Sequence, residues 1–482
     1  MTRALTRSEA RSLSQQVIVA RTARSEIGAR LRFKMSYKPT SRLILSIAAI
    51  GVFASTARAE AQGATSTTGP VTACRQGDPG SPCVDIGGDA RITFGGEYRV
   101  RGETLDPANF GIAGGPQSTS IAHRAMLDAD LRVAKTVRLY VQLSYADQSG
   151  RKPVARAFDV SDPDLAQAFI EIPFAFGGTS ASVRLGRQEL SIGNRLVALR
   201  DGVTLRRAFD GGRIDITAGA HKIIGFYLSP VLNKAGAFDD RRTRGETFAG
   251  LSWQLPGTPA DGVLTLFAFD RERGKASYLR AAGAEDRQTF GLRYTRTRAR
   301  WDMATQFGIQ TGHVGASNVL AWGGSLELGL HPKGTTGLRI GAQLGIASGD
   351  TEPDDNRIGT FDPLYPNLVA FNDAPLYYYS NQMNAQLNVS KSMGAVILRA
   401  DATLLARATS RDAIYASPGR PLAFPTSGDR LSAATFEASA RWRVSKHLEF
   451  YGSLLRAQAL DSIRAAGGRD TNFALIQMTA GF

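Results

Sequence analysis

Arginine dominates the residues of this chain that could do chemistry. The densest stretch runs from Arg184 to Arg213 and holds Arg187, Arg195, Arg200, Asp201, Arg206, Arg207 and Asp210. A second set comes from the polar positions of alternating segments: Glu97, Arg99, Arg101, Asp128, Asp130, Arg132, Arg138, Arg184, Arg293, Arg339, Arg399, Asp401, Glu437, Arg441 and Arg443. A guanidinium is planar, stays charged at neutral pH and matches carboxylate or phosphate geometry. Several of them around a wet path lower the barrier for anions and raise it for cations. Taken singly, each could equally belong to an internal ion-pair network that fills and stiffens an interior. Taken as a set, they point to an anion-conducting lumen.

Other chemistry has less to stand on. The five histidines are His123, His221, His313, His331 and His447, and two of them, His331 and His447, fall in expected short turns. No Gly-x-Ser-x-Gly elbow occurs, so nothing marks a nucleophile. The segment 349–378 carries Asp350, Glu352, Asp354, Asp355, Asp362 and Asp373. Six acids in one long loop read by default as a solvated loop; they could also bind divalent cations or fold over a pore as an acidic gate, but their spacing matches no calcium-loop pattern, so no metal is claimed. The reading is therefore a channel, not an enzyme, with no cofactor.

The elements that must position these arginines have a period of two. Leu139, Val141, Leu143 and Tyr145 alternate with Tyr140, Gln142, Ser144 and Ala146. Phe290, Leu292 and Tyr294 alternate with Gly291 and Arg293, and Met383, Ala385, Leu387 and Val389 with Asn384, Gln386 and Asn388. Successive strand side chains point to opposite faces, so each segment has one apolar and one polar face. About 18 such segments, each roughly long enough to cross a bilayer when tilted, follow from near Arg91. Short turns are expected at 134–135, 298–299, 331–334, 390–394 and 445–447. Long connections are expected at 105–120, 148–161, 224–242, 273–286, 349–378 and 408–429. Numbered from Arg91, the long ones follow odd strands and the short ones even strands, as in a barrel with brief inner turns and larger outer loops. In lipid every backbone donor and acceptor must be paired, so strands cross only as a closed barrel. Tyr98, Tyr145, Trp253, Trp301, Trp322, Trp442 and Phe450 are candidates for its interface girdles. The final strand, 472–482, ends on an aromatic, Phe482, and should close the barrel against the first.

The N-terminus reads as targeting sequence. Lys38 and Arg42 precede the apolar run from Leu43 to Ala54, and Ala57-Arg58-Ala59 forms a cleavage signal before Glu60, with Met35 as the true start. Residues 1–59 are thus an over-long N-terminus plus signal peptide, 60–88 a flexible periplasmic lead-in, and 89–482 the barrel. The chain has 482 residues and a formal charge of +15, which at first suggests nucleic acid. Residues 1–58 hold 11 Lys/Arg and 2 Asp/Glu, leaving 47 against 41 in the rest, or +6. That removes most of the case for a nucleic-acid partner. Cys74 and Cys83, the only cysteines, would meet an oxidising compartment after export, where a disulfide is plausible.

Two segments carry a family resemblance. One holds Gly186-Arg-Gln-Glu-Leu190, Arg200-Asp-Gly202, Arg206-Arg207 and Phe209-Asp-Gly211; the other holds Ser348-Gly-Asp350 and Thr360-Phe-Asp-Pro-Leu-Tyr-Pro366. Together they resemble the alginate export family of outer-membrane porins. The resemblance implies a monomeric 18-stranded barrel in the outer membrane, surrounded by lipid, that passes an anionic polysaccharide such as alginate through an arginine-lined lumen. It also implies assembly by the outer-membrane barrel machinery through the C-terminal strand. The alternative is a diffusion porin for small organic anions or other small solutes.

Overall fold

The computed structural model describes residues 82–482 apart from 153–154, 193–194, 259–261, 280, 353, 368–370 and 418. The signal-peptide and cleavage-site expectations, Cys74 and most of the lead-in lie outside the described residues. Cys83 is disulfide-bonded.

Eighteen strands make up the wall. They are β1 Ala90–Asp106, β2 Ser118–Val133, β3 Val137–Ser149, β4 Ser161–Phe176, β5 Thr179–Glu189 and β6 Ala208–Ala218. Next come β7 His221–Leu232, β8 Glu246–Thr258, β9 Gly262–Ser277, β10 Ala282–Thr297, β11 Trp301–Val314 and β12 Ser317–Leu330. The last are β13 Leu338–Ala347, β14 Gln382–Met393, β15 Val396–Ala406, β16 Leu431–Arg443, β17 Leu448–Ala459 and β18 Thr471–Gly481. Each pairs antiparallel with the next, and β18 pairs back on β1 from Asp106↔Asn472 to Glu97↔Gly481. That last ladder removes the open edge, so each wall strand has a partner on both sides. Phe482 lies against Gly96, where a Cβ would sit 2.3 Å from its ring, and exchanges backbone hydrogen bonds with it. Only glycine leaves room there for the terminal aromatic. A short strand, Cys83–Gly87, folds back on the start of β1.

The alternation of faces decides what each side chain meets. Leu143, Leu251, Phe290, Ile340, Leu387, Leu454 and Ile476 all point outward and are exposed, Leu387 by 68% and Ile476 by 69%. In water such a band would be costly; against acyl chains it is the favourable surface. Tyr98, Tyr145, Trp253, Trp322 and Trp442 are exposed on it, while Trp301 and Phe450 are half-buried. The interior reverses the usual pattern of a soluble core: Arg124, Arg184, Arg271 and Arg287 are among its largest fully buried side chains.

Every connection after an even strand is brief, the longest being 331–337. Those after odd strands range from the tight turn 315–316 to the long 190–207, 348–381 and 407–430. Two expected long connections are shorter than the sequence suggested. β7 continues to Leu232, and β9 and β10 run on to leave only 278–281 between them. The polar residues near those ends, such as Arg273 and Glu285, are strand residues facing inward, where an ion pair satisfies them.

Candidate functional site

The expected lumenal arginines do face the interior, but most already have acidic partners. Arg132 and Arg138 hold Asp130 at 3.0 and 2.9 Å, Arg184 holds Glu171 at 2.9 Å, and Arg339 holds Asp302 at 2.7 Å. Arg399 holds Asp401 at 2.6 Å, and Arg441 and Arg443 share Glu449 at 2.7 and 3.2 Å. Arg293 lies half-buried on the inner face of β10, opposite Thr265 and Gln306. A guanidinium bound to a carboxylate contributes little net field to a passing ion. The wall is therefore rich in arginine but largely charge-compensated.

Two long loops turn into the lumen and meet. Loop 190–207 starts from β5, reaches β12 and β13 through Arg195, and reaches β1 and β2 through Asp201. Arg195 binds Glu327 at 2.6 Å and donates to Gln343 Oε1 at 3.1 Å. Asp201 accepts from Arg124 and from Arg206 at 2.7 Å each. Arg99 donates to the Asp201 carbonyl at 2.8 Å and to the carbonyl of Val203. Burial alone would raise the Asp201 carboxyl, yet Arg124, Arg206 and Arg99 hold it well below the usual carboxylate range. Arg187 holds Asp210 at 2.8 Å at the loop's exit.

Loop 348–381 crosses from the other side. Its Asp362 is fully buried and takes Arg271 at 2.7 Å, the Tyr278 hydroxyl at 2.7 Å and Arg273 at 3.6 Å. Glu285 joins them through Arg287 at 2.8 Å. Burial opposes ionisation of Asp362, but Arg271, Arg273 and Arg287 outweigh it and hold the carboxyl well below its ordinary range. The acidic loop does not act as one group. Asp362 is built into the wall, whereas Asp355 pairs with Arg357 at 3.1 Å, Asp350 donates its N–H to Asp412 and Asp354 is exposed.

The two loops hydrogen-bond to each other. Tyr365 N–H donates to the Leu196 carbonyl at 2.8 Å and Ala198 N–H to the Tyr365 carbonyl at 3.0 Å. Around this contact lies a buried apolar cluster: Leu190, Ile192, Leu196 and Val197 from one loop, Phe361, Leu364 and Tyr365 from the other, and Phe209, Phe226, Phe248, Phe267 and Phe269 from the wall. Gly250 on β8 leaves space for the rings, since a Cβ there would fall 2.5 Å from Phe269 and 2.7 Å from Phe226. One side of the lumen is thus filled by a core of its own.

Beside this contact stand two arginines with a different environment. Arg207 donates to the carbonyls of Ala198 at 3.5 Å and Pro366 at 3.4 Å and lies over the Tyr365 ring at 5.2 Å. Arg200 donates to the Leu205 and Arg206 carbonyls and to Asn233 at 3.0 Å, and stacks on Phe158 at 4.6 Å. Among the described residues neither has a carboxylate within ion-pair distance. Burial, then the neighbouring guanidiniums of Arg207 and Arg156, disfavour the charge on Arg200 and pull it below the ordinary arginine value. Burial does the same to Arg207, against the opposite pull of Tyr378, Tyr365 and Glu246. Arg200 also takes a left-handed backbone, φ 62°, which costs a non-glycine residue free energy and is stored most often at functional sites. Elsewhere Asp164, Asp239 and Asp240 come within 4.8 Å of one another. Their oxygens accept from the N–H groups of Leu165, Asp240 and Lys234 and from Asn233, so that cluster is a loop-fastening device.

The alginate export family matches residues 90–476 of this sequence. The chain belongs to that family. Among solved structures, this alginate export barrel is similar to Pseudomonas aeruginosa OpdK with vanillate, at 9% identity and a TM-score of 0.56, covering 81% of this chain and 98% of that one. Acinetobacter baumannii OccAB1 gives 11% and 0.55, covering 81% and 96%, and P. aeruginosa OpdO gives 12% and 0.54, covering 81% and 97%. At these identities the likeness is one of fold. No curated protein sequence matches. Family and closed barrel together make the chain an outer-membrane channel.

Sequence reasoning missed several residues of this site. Arg124 shares the parity of Asp128 and Asp130 on β2 and could have been found by that rule. Arg271 and Arg287 flank the expected connection 273–286, and Arg287 shares the parity of Arg293, so the alternation rule could have found it. Tyr365 lies in the Thr360–Pro366 motif, but nothing in it announced the hydrogen bonds to Leu196 and Ala198.

Proposed function

We propose that this chain is a passive, anion-selective channel whose cargo is a small carboxylate-bearing solute. The observation behind this reading is the pair Arg200 and Arg207, held by carbonyls, Asn233 and aromatic rings with no carboxylate in ion-pair distance among the described residues. A permeating carboxylate would supply the missing counter-charge as it sheds part of its water, and a cation would meet two repulsive groups. Small size is favoured by the two loops, which are pinned to opposite walls and to each other and so narrow the passage. Export of a uronate polymer is the second reading, favoured by the family match. In either case the barrel works as a monomer and is assembled through its C-terminal strand, whose Phe482 lies at the closing seam.

The test is single-channel recording of the intact protein in planar bilayers under a salt gradient. The expected result is a reversal potential on the anion side, with current reduced by millimolar small organic acids. Cation preference, or no conductance at all, would defeat the reading. Block by oligouronate but not by small organic acids would transfer support to polymer export.

A further inference from the structure

The brief turns after even strands do not share their charge evenly. Turns 177–178 and 219–220 are Gly-Gly and Gly-Ala. Turn 298–300, between β10 and β11, is Arg-Ala-Arg, and turn 331–337, between β12 and β13, carries Lys333. These two turns touch, since the His331 N–H donates to the Arg300 carbonyl at 2.8 Å. Beside them the ends of β10 and β14 add Arg296 and Lys391. Within 294–303, 328–339 and 389–395 the one acid is Asp302, and it is bound by Arg339 at 2.7 Å and by His331 at 2.8 Å. Among the described residues, Arg296, Arg300, Lys333 and Lys391 have no carboxylate within ion-pair distance. Arg300 and Lys333 are exposed.

Strand alternation puts part of this charge on the outside of the wall and not at its mouth. Arg296 shares the parity of Phe290, Leu292 and Tyr294, and Lys391 that of Leu387 and Val389. The Arg296 guanidinium lies over the Trp301 ring at 4.9 Å, and its Nε is buried without a hydrogen-bond partner. Arg296 stands opposite Met303, Met303 opposite Leu328, and Trp301 opposite Leu330. Leu328 and Leu330 are exposed by 43% and 59%. Lys391 Nζ donates to the Thr336 carbonyl at 2.7 Å, which draws it toward turn 331–337. Cations thus stand at the foot of an apolar surface edged by an aromatic ring, the order of groups found where a bilayer meets water. From β10 to β14 they span about 19 Å at the usual strand spacing.

We propose that this patch is a headgroup site for an anionic phospholipid in the leaflet that the brief turns face. The lipid phosphate takes N–H groups of Arg296 and Arg300 and the ammonium groups of Lys333 and Lys391, while its acyl chains lie over Met303, Leu328 and Leu330. Guanidinium groups match phosphate oxygens in geometry, and each Lys or Arg near an anionic headgroup adds to the attraction. A solute in the pore does not meet Arg296 or Lys391, because both stand on the lipid side. The patch occupies one arc of the rim, so it gathers such lipid on one side of the barrel. The site is independent of ion selectivity in the lumen.

The test uses the full-length protein in nanodiscs of equal parts phosphatidylglycerol and phosphatidylcholine, with native mass spectrometry of the released barrel counting the lipid it keeps. Phosphatidylglycerol should be retained about ten-fold or more over phosphatidylcholine. Combining Arg296→Gln, Arg300→Gln, Lys333→Gln and Lys391→Gln should lower that preference at least about five-fold. Lys135→Gln with Lys446→Gln, in other turns of the same rim, should keep it. Arg300→Gln alone, in an exposed turn, should show part of the loss and serves where the fourfold variant does not run as a folded barrel on an unheated gel. Equal retention of the two lipids by the wild type would overturn the site. So would a folded fourfold variant with the wild-type preference, or loss of the preference in millimolar inorganic phosphate, which would assign the cations to a soluble anion.

Discussion

Replacing Arg207 by Gln removes one positive charge at the point where the two lumenal loops touch, and leaves a side chain of similar reach. The size of the effect follows from how little else neutralises that charge. Among the described residues Arg207 donates to carbonyls and lies over an aromatic ring, with no carboxylate in ion-pair distance. An anion about 4 Å from it gains about 1 kcal/mol at the dielectric constant of water and about 4 kcal/mol at an effective value near 20. Water in the lumen favours the lower end, so about 1–2 kcal/mol is expected, with a cation destabilised by a similar amount. Screening changes little at this range, because the Debye length is about 8 Å at physiological ionic strength. Arg207→Gln should therefore lower the anion-over-cation permeability ratio about five-fold or more, since 1.4 kcal/mol is about ten-fold. The ratio comes from reversal potentials in planar bilayers under a potassium chloride gradient. Arg456→Gln, on the outward face of β17 beside Asp470, should leave the ratio unchanged. If Arg207→Gln folds and keeps the wild-type ratio, the constriction does not set selectivity and the reasoning fails.

Three further outcomes test the wall and the loops. Asp362→Asn removes a carboxylate buried among three arginines, a change that typically costs about 3–5 kcal/mol; it should free that end of loop 348–381 and give noisier, larger currents. Because the Asp362 pKa is depressed, its contribution is present above the ordinary carboxylate range and is lost only as pH falls through the lower folded value. The wild-type anchor should thus still hold at about pH 4, and only acidification well below the ordinary carboxylate range should mimic the Asn variant. Leu387→Arg places a charge on the lipid face and should cost about 2–4 kcal/mol in folding titrations into lipid vesicles, whereas Asn388→Arg, one residue on and facing the lumen, should cost far less. Gly250→Ala pushes a methyl group into the Phe226–Phe269 contact and should destabilise the barrel by about 1–3 kcal/mol, seen as a lower unfolding temperature in detergent.

The wall was readable in the sequence because its information is local. Whether Leu139, Val141, Leu143 and Tyr145 face lipid depends only on strand alternation, and the exposed band follows from it. The same rule turned Arg99, Arg184 and Arg339 inward. It failed at β9 and β10, where charged strand ends looked like loop, because Arg273 and Glu285 satisfy each other across the β9–β10 ladder and Arg273 also meets Asp362 of loop 348–381, which no local pattern announces. The acidic segment likewise looked like one gate, yet Asp362 is separated from Asp350, Asp354 and Asp355 by its burial against Arg271.

The sequence by itself determined the barrel, the faces of its strands, the short turns after even strands and the family, since alternation, turn residues and contiguous motifs are all read along the chain. Only the tertiary structure decided which arginines remain without an acid. Arg195 finds Glu327 at a separation of 132 residues, and Arg99 finds the Asp201 carbonyl at 102. Those pairings depend on loops 190–207 and 348–381 crossing the lumen and hydrogen-bonding to each other. Closing the barrel brings distant strands within a few ångströms, and the charges that cancel there are set by that closure. What the cancellation leaves, Arg207 over Tyr365 and Arg200 over Phe158, is the charge available to a passing solute.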